Sequence, residues 1–126
     1  MTVLHQPATT GDVLKYEVNP NYTRETVTLL EGMNYPVGAV LGRITASGKY
    51  KLATSGGSDG AQTASAVLLY AVNASATDAI GVVVARGPAI VSKAALVFDA
   101  TVDDAPKTAT KHGQLAALGI VPRDTA

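Results

Sequence analysis

Between residues 26 and 98 no apolar run exceeds seven residues before glycine, proline or a cluster of Asn, Asp and Ser interrupts it. That punctuation leaves too little length for amphipathic helices and suits strands of four to eight residues. Thr26-Val27-Thr28-Leu29-Leu30 alternates β-branched and apolar residues until Glu31-Gly32 stops it. Residues 39–45 and 49–52 flank Ser47-Gly48 and read as a hairpin, with Lys49 and Lys51 on one face and Tyr50 and Leu52 on the other. Residues 67–72, 80–85, 89–91 and 95–98 continue the series. Six or seven short strands at turn intervals of about 8–12 residues predict a mainly β fold, a small barrel or sandwich. The Ala-rich stretch 61–72 reads as strand, with helix as the alternative, because periodicity does not separate short buried strands from helices.

Both ends depart from this pattern. Asp104 is a candidate N-cap, Pro106 fits a first helical turn, and Gly119 sits where a helix stops. Gly113 interrupts that stretch, so the expected C-terminal helix is one or two turns long, followed by an extended tail at Ile120-Val121-Pro122-Arg123. Residues 1–25 mix Thr, Pro, Asn and charge and are expected to form an extended N-terminal arm, with residues 26–126 as the β domain. Within the arm Val13, Leu14, Lys15, Tyr16, Glu17 and Val18 alternate apolar and charged side chains, the signature of a strand seeking a sheet edge. Leu14, Tyr16 and Val18 would then share one face, with Lys15 and Glu17 on the other.

Composition narrows the function. Ten basic and ten acidic residues give no net charge, and the cations are scattered, so no basic stripe for nucleic acid is expected. Aromatics are 5% of the chain, too few for base-stacking platforms. No apolar run approaches the ~20 residues of a membrane span, and the first residues lack the charge and apolar core of a signal peptide. The absence of cysteine excludes disulfides and thiolate metal sites. Charged residues make up 16% against a usual ~25%, which favours self-association.

No catalytic, cofactor or metal set emerges. Gly56-Gly57-Ser58-Asp59-Gly60 has the spacing of a hydrolase nucleophile elbow, and Asp99 and His112 follow in triad order. The glycines lie between two expected strands rather than at a strand-to-helix turn, so the segment reads as a loop. Asp99, Asp103 and Asp104 lack the spacing of a calcium loop, and the last two suit a helix N-terminus. His5 lies in the arm and His112 near the C-terminal helix, so no shared metal or acid–base pair is expected, and the sequons at Asn21 and Asn73 are patterns only.

Several segments in order resemble the head decoration proteins of tailed bacteriophages. They are Gly11-Asp12-Val13-Leu14-Lys15-Tyr16-Glu17, Tyr22-Thr23-Arg24-Glu25, Val40-Leu41-Gly42 and Thr45-Ala46-Ser47-Gly48-Lys49-Tyr50. Ser58-Asp59-Gly60-Ala61-Gln62-Thr63-Ala64, Arg86-Gly87-Pro88-Ala89-Ile90-Val91 and Gln114-Leu115-Ala116-Ala117-Leu118-Gly119-Ile120-Val121 complete the set. One departure is Ala66, where the family pattern leads one to expect glycine. The resemblance implies a β-clip-like domain that binds the outside of the expanded head as a homotrimer and reinforces it against packaged DNA. It further implies the major capsid protein as partner, an arm that docks on it, and a place on the virion surface after assembly in the host cytoplasm. No nucleic acid, membrane or cofactor enters that reading. A tail or fibre module, and a trimeric nucleotide hydrolase on a similar scaffold, are the alternatives.

Overall fold

The computed structural model describes residues 9–124. Two single helical turns, α1 (Thr10–Val13) and α2 (Pro20–Thr23), alternate with strands β1 (Leu14–Glu17) and β2 (Arg24–Leu29). Strands β3 (Met33–Tyr35), β4 (Val40–Arg43), β5 (Tyr50–Leu52), β6 (Ala64–Leu68), β7 (Val72–Ala74), β8 (Ala79–Val84) and β9 (Ala89–Ser92) follow. A 3₁₀ turn at Lys93–Ala95, helix α3 (Ala105–Ala117) and β10 (Ile120–Arg123) complete the chain.

Strands β2, β5, β4, β6 and β8 close in that order into a small barrel. The closure is slight at one seam, where β2 meets β5 in parallel through the single pair Leu29–Tyr50. The other barrel pairs are antiparallel, the longest being β2–β8 from Arg24–Val84 to Leu29–Ala79. A second sheet has the order β1-β9-β10, and β3 and β7 form a two-stranded ribbon. The fold is mainly β with one longer helix near the C-terminal end, as the sequence indicates.

Two apolar clusters share the barrel wall. Leu41, Ala66, Leu68 and Val83 point inward with Val27 and Leu29. Their chain neighbours Val40, Val67 and Val84 point outward, and pack with Val13, Ala89, Val91, Leu96, Leu115 and Ile120 beneath the second sheet and α3. Successive side chains of a strand face opposite ways, so a strand buried on both faces must be apolar throughout. That is the physical reason for the unbroken run at residues 66–69. The Ala-rich stretch is accordingly strand β6.

The 39–52 hairpin forms with Leu41 opposite Leu52 and Arg43 opposite Tyr50. Residues 95–98 differ from expectation. Lys93–Ala95 is a 3₁₀ turn, and beyond it only one bridge, Ala39–Val97, survives. Leu96 is drawn into the outer core, and Val97 closes both of its backbone bonds onto Gly38 and Val40 without extending a ladder. The C-terminal helix is also longer than the position of Gly113 suggests, running thirteen residues from the Asp104 cap. Asp104 accepts from Lys107 N–H at 2.9 Å. Burial of Leu115 and of the Lys111 stem offsets the ~1 kcal/mol that a helical glycine costs. The Lys111 amine donates to the Gln62 carbonyl and to Gln114 Oε1, which also accepts from Ala64 N–H. Burial pushes that amine's pKa below the usual lysine range. No helix among the described residues is long and apolar enough to cross a membrane.

Gly81 faces into the barrel, where a Cβ would press on the side chains of Leu29 and Leu68. Gly81→Val should therefore cost about 1–3 kcal/mol through overpacking. A urea midpoint equal to wild type would refute this. Asp104→Ala should cost about 1 kcal/mol through loss of the cap, read in the same titration and by reduced helical circular dichroism.

Candidate interaction face

The sequence singles out Val13, Leu14, Lys15, Tyr16, Glu17 and Val18, and their geometry follows from how β1 meets β9. The two strands are antiparallel, with Leu14 opposite Val91, Tyr16 opposite Ile90 and Glu17 opposite Ala89. The register shifts between Leu14 and Tyr16, so Lys15 is an extra residue and the ladder bulges there. Leu14 consequently packs against the outer core, while Tyr16 is 51% exposed. Leu14 and Tyr16 thus lie on opposite faces, against the alternation expected from sequence. Val13 closes α1 and is fully buried in the outer core, and Val18 is half exposed. Residues 1–8, including His5, lie outside the described residues.

Parallel pairing of β10 with β9 places Val121 beside Ile90 and Ile120 beside Ala89. Residues opposite one another share a face. The buried face is therefore Leu14, Ala89, Val91 and Ile120, and the outer face carries the row Tyr16, Ile90, Val121. Two backbone hydrogen bonds, Val18 N–H to the Pro88 carbonyl and Gly87 N–H to the Leu118 carbonyl, bring Val18, exposed Pro88 and Leu118 to one end of this row. Gly87 and Gly119 make that end possible, since a Cβ on Gly87 would strike the Gly119 backbone and Gly119 holds φ +83°. Among the described residues β1 has one strand neighbour, β9, and none pairs with its far edge.

Glu17 turns to the other side and anchors the strand. Arg24 donates to both of its oxygens, the shortest contact being 2.6 Å, and Thr23 Oγ1 donates at 2.6 Å. Burial opposes ionisation of Glu17, but these hydrogen bonds and the guanidinium charge outweigh it and hold the carboxyl below its ordinary value. Arg24 also reaches the Tyr70 hydroxyl at 3.3 Å. Beside this network Arg86 pairs with Glu25, donates to the Tyr22 carbonyl and lies 5.6 Å from the Tyr22 ring centre. Neither arginine network is legible in the sequence, because the partners come together only through the β1–β9 and β2–β8 pairings.

The groups of the elbow-like motif are engaged elsewhere. Asp59 accepts from Ala61 N–H and pairs with Lys51 at 2.8 Å. Asp99 holds its own turn through Thr101. The His112 ring packs against Phe98 at 5.8 Å, and burial first, then the charge of Lys93, lowers its pKa. Asp103 pairs with Lys107 while Asp104 caps α3. An open depression of about 400 Å³ lies by the β3–β7 ribbon, lined by Asn34, Tyr35, Pro36, Ala71, Val72 and Asn73.

Taken together, these features describe a class: a small, mainly β domain that presents an apolar sheet face and a free strand edge. Residues 3–120 match the family model described as bacteriophage lambda head decoration protein D, and the chain belongs to that family. It is a phage head decoration protein, from a family of structural capsid proteins. No curated protein matches the chain.

The Glu17 carboxyl gives a pH prediction. Unfolded, it titrates near 4.5, and folded it titrates lower, so the unfolded chain binds more protons and stability falls as pH drops through that window. Glu17→Gln should cost about 1 kcal/mol at pH 7, with the gap closing as pH falls from about 4.5. A gap independent of pH in parallel urea titrations would refute the assignment.

Proposed function

We propose that the protein binds the outer surface of the expanded phage head as trimers and stabilises the shell against the pressure of packaged DNA. Membership of the decoration family carries this reading. In it, residues 1–25 are the docking arm and residues 26–126 the decoration domain, the described part of the arm lying along that domain through α1, β1 and α2. The partner is the major capsid protein, and the protein ends on the outer surface of the virion after assembly in the host cytoplasm.

Docking proceeds by strand addition at Val13, Leu14, Lys15, Tyr16, Glu17 and Val18. The open edge of β1 supports this mode, because an added strand there gains main-chain hydrogen bonds while neighbouring side chains set register. The charge-poor surface favours trimers, and three linked copies raise avidity even where each contact is weak. The part played by the chain is mechanical, and the reading assigns it no catalysis.

Full-length protein should co-sediment saturably with expanded, undecorated heads of the cognate phage, and cross-linking on the heads should yield trimers. Amide exchange at residues 14–18 should slow on binding. Failure to sediment overturns the decoration reading, whereas binding with unchanged exchange at 14–18 overturns strand addition alone.

A further inference from the structure

Among the described residues one buried side-chain polar atom lacks a hydrogen-bond partner, Nε2 of His112 on α3. A neutral imidazole tolerates this when its proton sits on Nδ1, because Nε2 then presents only a lone pair. The imidazolium carries N–H on both nitrogens, so protonation places a charged donor without an acceptor in that buried position. A buried, unpaired charged donor costs far more than a bare lone pair.

The surroundings of the ring do not offset that cost. The Phe98 ring, 5.8 Å away and tilted by 59°, has no lone pair to accept a proton. Lys93 on the 3₁₀ turn and Asp124 just past β10 act on the imidazole in opposite directions. Burial first, then Lys93, outweighs Asp124 and holds the pKa below the usual histidine value. The other charges nearby in the chain are engaged or adjoin these: Lys111 donates to Gln62 and Gln114, Asp99 accepts from Thr101, and Arg123 precedes Asp124. Strand β6, which also packs on α3, carries no titratable side chain.

Phe98 belongs to a segment with few other attachments. Residues 93–102 join no strand ladder, and Ala39–Val97 is a single bridge. Two backbone bonds of 2.9 Å, Val97 N–H to the Gly38 carbonyl and Val40 N–H to the Val97 carbonyl, hold it with the buried Leu96 and Val102. Helix α3 is fixed more firmly, by the Asp104 cap, by Leu115 and by the Lys111 amine. A cost arising between ring and segment is therefore relieved by movement of the segment, the part with the lower local stability.

We infer that His112 is a proton-operated latch: neutral, it seats Phe98 and keeps residues 93–102 against α3, and protonated, it releases them. A freed imidazole titrates near 6.5 and the seated one lower, so the open form binds more protons. Opening therefore gains as pH falls below about 6.5, by at most about tenfold per pH unit for one proton. The Glu17 window begins only near 4.5, so the two effects separate.

Amide exchange of the intact chain, corrected for its intrinsic pH dependence, tests the latch. His5→Ala leaves His112 as the one imidazole, and NMR then follows its titration. Between pH 7 and 5.5 the opening constants at Val97 and Val40 should rise by about threefold or more. The Leu69 amide, bonded to the Val82 carbonyl at 3.0 Å, should change less than about twofold. His112→Phe should abolish the rise, Lys93→Gln should shrink it and Asp124→Asn should enlarge it. Should His112→Phe fail to fold, His112→Gln, also uncharged throughout this range, takes its place. An imidazole titrating at or above 6.5 overturns the inference, as does a rise that persists without His112. Equal opening at Leu69 and Val97 would mean general unfolding and overturns it too.

Discussion

Sharing of β4, β6 and β8 between two apolar cores is the constraint on which the rest of the molecule depends. Residues 39–41, 66–69 and 82–84 send alternate side chains into the barrel and into the layer under β9 and α3. A strand apolar on both faces has a weakness, since a one-residue slip exchanges two greasy faces with little polar penalty. Shape must then fix the register. Gly81 does so on β8, because a slip would bring Ile80 or Val82 to the point where Leu29 and Leu68 fill the barrel. With that register set, Val84 and Val67 present the surface on which Val13, Val91 and Ile120 pack, and the second sheet gains a floor.

What the sequence displays and what it hides divide along contact range. The hairpin of β4 and β5 is legible because alternation and the Ser47-Gly48 turn are both local. The Asp104 cap is legible for the same reason. The β3–β7 ribbon is not, since three-residue strands carry no period, and its pairing joins residues 33–35 to residues 72–74. The full length of α3 is hidden too. Gly113 argues locally for a break, while burial of Leu115 and anchoring of Lys111 on the Gln62 carbonyl argue for continuity from outside the helix. Tertiary packing wins over propensity here.

Residues 13–18 show the same division within six positions. Alternation correctly marks residues 14–17 as a strand, yet it assigns Leu14 and Tyr16 to one face. The bulge that separates them is a property of the pair, set by β9, and no single-strand pattern contains it. Its effect is large for one residue. Leu14 stays with the core, Tyr16 turns outward to join Ile90 and Val121, and Glu17 turns inward to Arg24 and Thr23.

Those last two consequences belong together. A tyrosine held on an exposed face gains nothing from the core, so β1 must be fixed by something other than Tyr16. The Glu17 contacts to Arg24 and Thr23 supply that fixation from the opposite side and tie β1 to the end of α2 and the first residue of the barrel strand β2. Val13 does the same at the other end by closing α1 into the outer core. Between these two anchors the outer edge of β1 takes no strand partner among the described residues, and Tyr16 on its outer face is half exposed. A strand pre-set in this way loses less conformational entropy on docking than a free arm would, because the ordering has occurred before the partner arrives.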